Sequence, residues 1–162
     1  NDYFIPIVGS VLTEIRDAEL IGTFERYKAV TATQSVDNSK EFSNKIEAAS
    51  LKPWTPVNIK VIRESNDDLT ITWTRRDRKN SSWGQPELVN SEGSLKFDLE
   101  IYLDVEIVRT AAELIEASYT YVAADQISDG LELDAETITL QIFQLSEVVG
   151  RGFGRKGTFN VE

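Results

Sequence analysis

Three groups of residues have types and spacings that could do chemistry. The first is acidic: Glu132, Asp134 and Glu136 alternate, with Asp125 and Asp129 just upstream. Calcium would need several such oxygens converging on one point, and this spacing fits no EF-hand loop. A pair of these carboxylates could act as acid and base in glycoside hydrolysis. That reaction asks for a fixed separation across a cleft, which a small domain of short strands rarely supplies. The second group is Gly150-Arg151-Gly152-Phe153-Gly154. A phosphate cradle needs a strand before its glycines and a helix after them. Here a strand-like stretch follows, so a hairpin loop is the better reading. The third group is aromatic and basic. Trp54, Trp73 and Trp83 are the three tryptophans, and Arg75, Arg76, Arg78 and Lys79 follow Trp73. Trp54 and Trp83 sit at loop edges. With Arg75, Arg76 and Arg78 they are the candidate binding residues, as an aromatic platform beside a basic corner. The competing reading is cation–π packing that covers one sheet.

The chain of 162 residues contains no Cys, His or Met. That excludes a disulfide, a thiolate nucleophile and a zinc–thiolate site. It also removes the commonest general base and the commonest transition-metal ligand. No enzyme, cofactor or metal site is expected. A net charge of −10 argues against nucleic acid as a partner. Acidic groups dominate one stretch: between Arg109 and Arg151 there is no Lys or Arg, against 8 acidic residues. An acidic lobe beside a basic corner suits oriented docking in an assembly, although a solvated surface is the plainer account. No run of apolar residues is long enough to span a membrane, and no basic segment leads into an apolar one as in a signal peptide. The chain opens on Asn1 rather than Met, so a piece of a longer protein is expected.

The elements that must position these residues read as β throughout. Pro53 and Pro56 punctuate a domain start, since each fixes φ and pushes its predecessor into extended geometry. Val57, Ile59 and Val61 then alternate with polar residues, and Asn66-Asp67-Asp68 signals a turn. Leu69, Ile71 and Trp73 alternate with Thr70, Thr72 and Thr74, the cleanest strand in the chain, which puts Trp73 in the core. Residues 97–110 predict a hairpin turning near Leu103-Asp104, where the usual glycine is missing. Residues 111–117 are ambiguous because Ala-Ala-Glu-Leu favours helix. A strand at 118–122, a helical turn at 123–127, a long strand at 137–145 and a last strand at 158–161 complete the set. About seven strands in roughly 110 residues have the size and rhythm of an immunoglobulin-like or fibronectin type III sandwich. Without a cysteine pair the fibronectin type fits better. Upstream, 3–8 reads as an edge strand and 25–33 as a strand, while 36–50 is polar. The division expected is 1–50, the end of a preceding β-rich domain or linker, and 51–162, the sandwich.

Several of these segments together resemble a known family. Leu51-Lys52-Pro53-Trp54-Thr55-Pro56-Val57, Ile71-Thr72-Trp73-Thr74-Arg75-Arg76-Asp77-Arg78, Trp83, Val108-Arg109-Thr110, Tyr119-Thr120-Tyr121, Gln144-Leu145-Ser146 and Gly150-Arg151-Gly152 follow one another in order. Ala18-Glu19-Leu20-Ile21-Gly22 and Tyr27-Lys28-Ala29-Val30-Thr31 precede them. Over residues 18–162 the chain resembles the C-terminal part of the tail-tip proteins of siphophages and gene transfer agents, the baseplate hub or host-specificity proteins. It departs from them at Leu88-Val89-Asn90-Ser91-Glu92-Gly93, where an acidic segment is usual, and at the hairpin near Leu103.

The resemblance implies an all-β chain: a fibronectin type III-like (immunoglobulin-like) β-sandwich preceded by a small β-rich segment. It implies a structural module of a phage tail tip or baseplate within the virion, contributing to tail assembly and to host-surface attachment. It assigns no catalytic residue. Other tail and baseplate proteins are the expected partners, with a host-surface glycan or receptor as a further one. The alternative is a carbohydrate- or receptor-binding module that uses exposed Trp and Arg residues. Sandwiches host many unrelated functions, so the fold alone does not decide between them.

Overall fold

The computed structural model describes residues 18–30, 33–78 and 92–162. The strand expected at 3–8, Lys79 and Trp83 lie outside them. The chain divides into two units, Asn1–Glu47 and Ala48–Glu162.

In the first unit a 3-10 turn, Ala18–Leu20, precedes a two-stranded antiparallel ribbon, β1 (Phe24–Lys28) and β2 (Glu41–Lys45). Tyr27 and Phe42 are cross-strand partners and stack with ring centroids 5.7 Å apart. β2 lies in the stretch whose polarity gave no strand signal. Its single Phe among Glu, Ser, Asn and Lys has no period of its own, so pairing with β1 makes it a strand.

The second unit begins with a 3-10 turn, Ala49–Leu51, and continues with β3 (Val57–Arg63), β4 (Leu69–Thr74), β5 (Phe97–Leu103) and β6 (Glu106–Leu114). β7 (Ser118–Tyr121), helix α1 (Ala123–Ser128), β8 (Thr137–Ser146), β9 (Gly150–Arg151) and β10 (Gly157–Asn160) follow. One sheet has the order β3-β4-β7; the other has β10-β8-β5-β6, with β9 beside β8. All these pairings are antiparallel. Lettered along the chain, the sheets are A-B-E and G-F-C-C′. Relative to the immunoglobulin constant arrangement, the fourth strand has left the A-B-E sheet for the edge of the other. This is the fibronectin type III arrangement.

The two sheets are held by one core. Leu69, Ile71, Trp73 and Tyr121 come from the first sheet; Phe97, Leu99, Ile101, Ile138, Leu140 and Ile142 come from the second. Strict alternation in β4 and β8 places these side chains inward. Each fully buried one stabilises the fold by about 1.5–3 kcal/mol. Trp73 is 5% exposed and meets Phe97 edge-on at 5.5 Å across the sheets.

The turns use residues that tolerate left-handed backbone. Asp104, at φ 54°, takes the place of the missing glycine between Leu103 and Glu106, which are paired. Lys156 Nζ donates to its carbonyl at 3.2 Å. Asp67 (φ 66°) turns β3 into β4. The neighbouring Asp68 accepts the Ala123 N–H at 2.7 Å and so caps α1 from a distant loop. Buried Gln126 donates to Asp67 O and Tyr121 O, which fastens α1 to the same end of the sandwich. The ambiguous stretch after Thr110 is strand as far as Leu114, because Ala111 and Leu114 pair with Leu99 and Phe97.

Candidate interaction surface

The acidic residues divide between structure and solvent. Arg109, on β6, forks onto α1: its Nη1 lies 3.0 Å from Asp125 and its Nη2 donates to Asp129 at 3.1 Å, with Nε donating to the same carboxylate. Tyr121 OH, from β7 in the opposite sheet, donates to Asp129 at 2.7 Å. These donors, Arg109 first, hold the Asp129 carboxyl below its ordinary range. Burial, then the bond to Asp129, pushes the Tyr121 phenol well up. A carboxylate tied in this way is not offered to a ligand. Glu132, Asp134 and Glu136 point to solvent. Among the described residues no group of three or more carboxylates is placed to hold a metal ion.

The glycine-rich segment packs against the protein itself. Arg151 Nε donates to Asp98 at 2.6 Å and Nη1 donates to Glu100, and the guanidinium covers the Phe143 ring at 4.6 Å. Asp98 and Glu100 alternate outward on β5, yet both are buried where Arg151 of β9 lies over them. Tyr102 continues the row: it donates to Glu100 at 2.7 Å, and burial and that carboxylate push its phenol up to about 12. Gly152 is required by close approach, since a Cβ there would lie 2.5 Å from Pro53 O and 2.9 Å from Gln144 O. The cluster of Asp98, Glu100 and Arg151 had one sequence signal: Arg151 is the first cation after a long acidic stretch.

Of the five candidate binding residues, the structure brings two together. Trp54 is 36% exposed, and the Arg76 guanidinium lies over its ring at 4.6 Å. Arg75 is half-buried. Arg78, expected in an exposed corner, turns inward instead: its side chain is 13% exposed and pairs at 2.9 Å with buried Glu92. A charge this close to the interior is held where its carboxylate waits. Trp83 lies outside the described residues. The tryptophans therefore do not form a platform among the described residues: Trp73 is core, and one face of Trp54 is taken by Arg76.

Sequence reasoning missed what lies beside Arg76. An open groove of about 600 Å³ runs between the outer edges of β3 and β10. Val57, Asn58 and Ile59 form one wall and Gly157, Thr158 and Phe159 the other, with Arg76 and Arg155 at its margin. Arg155 gave no signal because it stood in a glycine-rich loop, far in sequence from the arginines after Trp73.

No family model and no curated protein matches the sequence. Solved structures similar to it include an Fn3-like protein from Clostridium thermocellum, at 11% identity over 68% of this chain and 95% of that one, with a TM-score of 0.44. They also include domains d3–d4 of the rat CD45 extracellular region, at 14% identity over 98% of this chain and 73% of that one, with a TM-score of 0.49. A myokine matches at 15% identity over 67% of this chain and 96% of that one, with a TM-score of 0.42. The chain is a fibronectin type III-like β-sandwich preceded by a β-ribbon. The strand order and the shared core carry that class. No helix among the described residues is long and apolar enough to cross a membrane.

Proposed function

We propose that the chain is a structural module of a phage tail-tip or baseplate protein, a non-catalytic block that contributes to tail assembly within the virion. One observation carries this reading: the segments that resemble such proteins are spent on building the sandwich. Pro53 O accepts the Phe153 N–H at 2.8 Å, which ties the proline entry to the glycine loop. Trp73 fills the core, Arg76 covers Trp54, and Arg151 pairs with Asp98 and Glu100. Residues used in this way fit an architectural part. Other tail and baseplate proteins are its partners, and the acidic surface of Glu132, Asp134 and Glu136 supports oriented docking against them.

Host-surface attachment is the second reading, as a glycan- or receptor-binding module. It is favoured by Trp54, which stays partly exposed beside a cation. Electron microscopy of particles labelled with antibody fragments raised against this chain tests the first reading. Label at the tail tip supports it, and label absent from all particles refutes it. Binding of the isolated chain to host-envelope preparations, lost on Trp54→Ala, would support attachment. No binding above an unrelated sandwich domain would refute it.

A further inference from the structure

The groove between β3 and β10 has the features of a docking slot that the fold leaves open. Its two walls are edge strands of different sheets. They are stitched together beyond both ends. At one end Phe153 N–H donates to Pro53 O at 2.8 Å and Thr55 Oγ1 donates to Phe153 O at 3.0 Å. At the other, Val61 and Val161 form a parallel bridge, with Glu162 N donating to Val61 O at 2.9 Å and Arg63 N to Glu162 O at 2.9 Å. Between the stitches lies the groove. A register shift between Val57 and Lys60, with Asn58 at φ 51°, interrupts the regular geometry of β3 there. From Thr55 to Val61 the slot is about 20 Å long at the rise of an extended chain, room for a strand of about five residues.

Its chemistry is selective. No carboxylate lines it among the described residues, in a chain with 27 Asp and Glu against 17 Lys and Arg. Arg76 and Arg155 stand at it. The Lys156 ammonium is turned away, 3.7 Å from the centre of the Tyr102 ring, so the local charge is that of two guanidinium groups. Planar forks of this kind match carboxylates bidentately. Ile59 and Phe159, both half-buried, supply apolar surface between them.

We propose that this slot takes an extended acidic peptide of a partner chain, added as a strand along the free edges, with its carboxylates on Arg76 and Arg155. Unpaired strand edges accept main-chain hydrogen bonds from such a peptide, and side-chain pockets select it. A glycan would call for an open aromatic face, and one face of Trp54 is covered by Arg76. The inference rests on the reading of the chain as an assembly module and names the chemistry of the partner it docks.

The test uses the full chain and a short fluorescein-labelled peptide of alternating Glu and Val. Fluorescence polarisation should show saturable binding that weakens as salt rises. Arg155→Glu, at an exposed side chain, should weaken it about tenfold or more, the loss of one charge-assisted contact. Lys96→Glu, the same charge change at a residue of this unit that does not line the slot, should leave it unaltered. Hydrogen exchange should slow at the amides of 57–59 and 157–159 when peptide is bound. Four results would overturn the proposal: no binding, binding indifferent to Arg155→Glu, binding without protection of those amides, or binding of an oligogalacturonate in place of the peptide. Because chain and probe are both purified, failure here leaves the particle-labelling result untouched.

Discussion

Asp129→Asn tests how the two sheets are fastened at the α1 end. The substitution keeps the size and shape of the side chain and removes its charge. Asp129 accepts from Arg109 on β6 and from Tyr121 on β7, so one carboxylate joins both sheets to α1. Its side chain is 11% exposed and that of Arg109 is 25% exposed, so solvent screens the pair only in part. Arg109 keeps Asp125 as a partner, which limits the damage. Losing the charge-assisted bonds to Asp129 should cost about 3 kcal/mol. For a unit of this size that is a fall of about 15 °C in Tm. The pH dependence gives a sharper signature. Asp129 is held below its ordinary value when folded, so its contribution is fully present above the unfolded pKa of about 3.9. It is lost as pH falls through the lower folded value. The difference between wild type and Asp129→Asn, measured by urea unfolding at several pH values, should therefore be largest near neutrality and shrink in acid. Asp134→Asn, at an exposed carboxylate, should change stability by less than about 0.5 kcal/mol. A difference between wild type and Asp129→Asn that stays constant into acid, or a cost no larger than that of Asp134→Asn, would refute the reasoning.

Other substitutions test other contacts. Gly152→Ala would push a methyl group against Pro53 O and Gln144 O and should cost about 2 kcal/mol, read as a lower urea midpoint at unchanged slope. Trp73→Ala would empty the contact with Phe97 and should cost about 4 kcal/mol. Arg151→Met would leave Asp98 and Glu100 buried without their cation. It should cost about 2 kcal/mol, most of it recovered when both carboxylates become amides, measured by making Arg151→Met in the wild type and in an Asp98→Asn, Glu100→Gln background. Arg76→Ala uncovers Trp54, so acrylamide quenching should rise, and the rise should vanish in a Trp54→Phe background.

What could be read from the sequence was what two-residue alternation writes down. β4 and β8 each bury one face, so Leu69, Ile71, Trp73, Leu140 and Ile142 show their places without any partner in view. The short helix before Asp129-Gly130 and the turn at Asp104 were legible from local residue chemistry. β2 was not legible, because its strand character comes from β1. Arg78 looked exposed within a run of cations; its partner Glu92 lies well down the chain, and a local pattern does not record such a partner. Asp98 and Glu100 fall at the outward positions of β5, and nothing local records that Arg151 comes back over them. The groove was invisible because its walls and its arginines come from segments far apart in the chain.

The signature residues from Pro53 onward are expected to build a sandwich that stands by itself. The most direct measurement is calorimetric unfolding of residues 48–162 alone beside the full chain. One sharp transition, with calorimetric and van't Hoff enthalpies equal and a midpoint close to that of the full chain, is the expected result. A broad melt of the isolated unit would contradict it, and would mean that residues before Ala48 complete the sandwich.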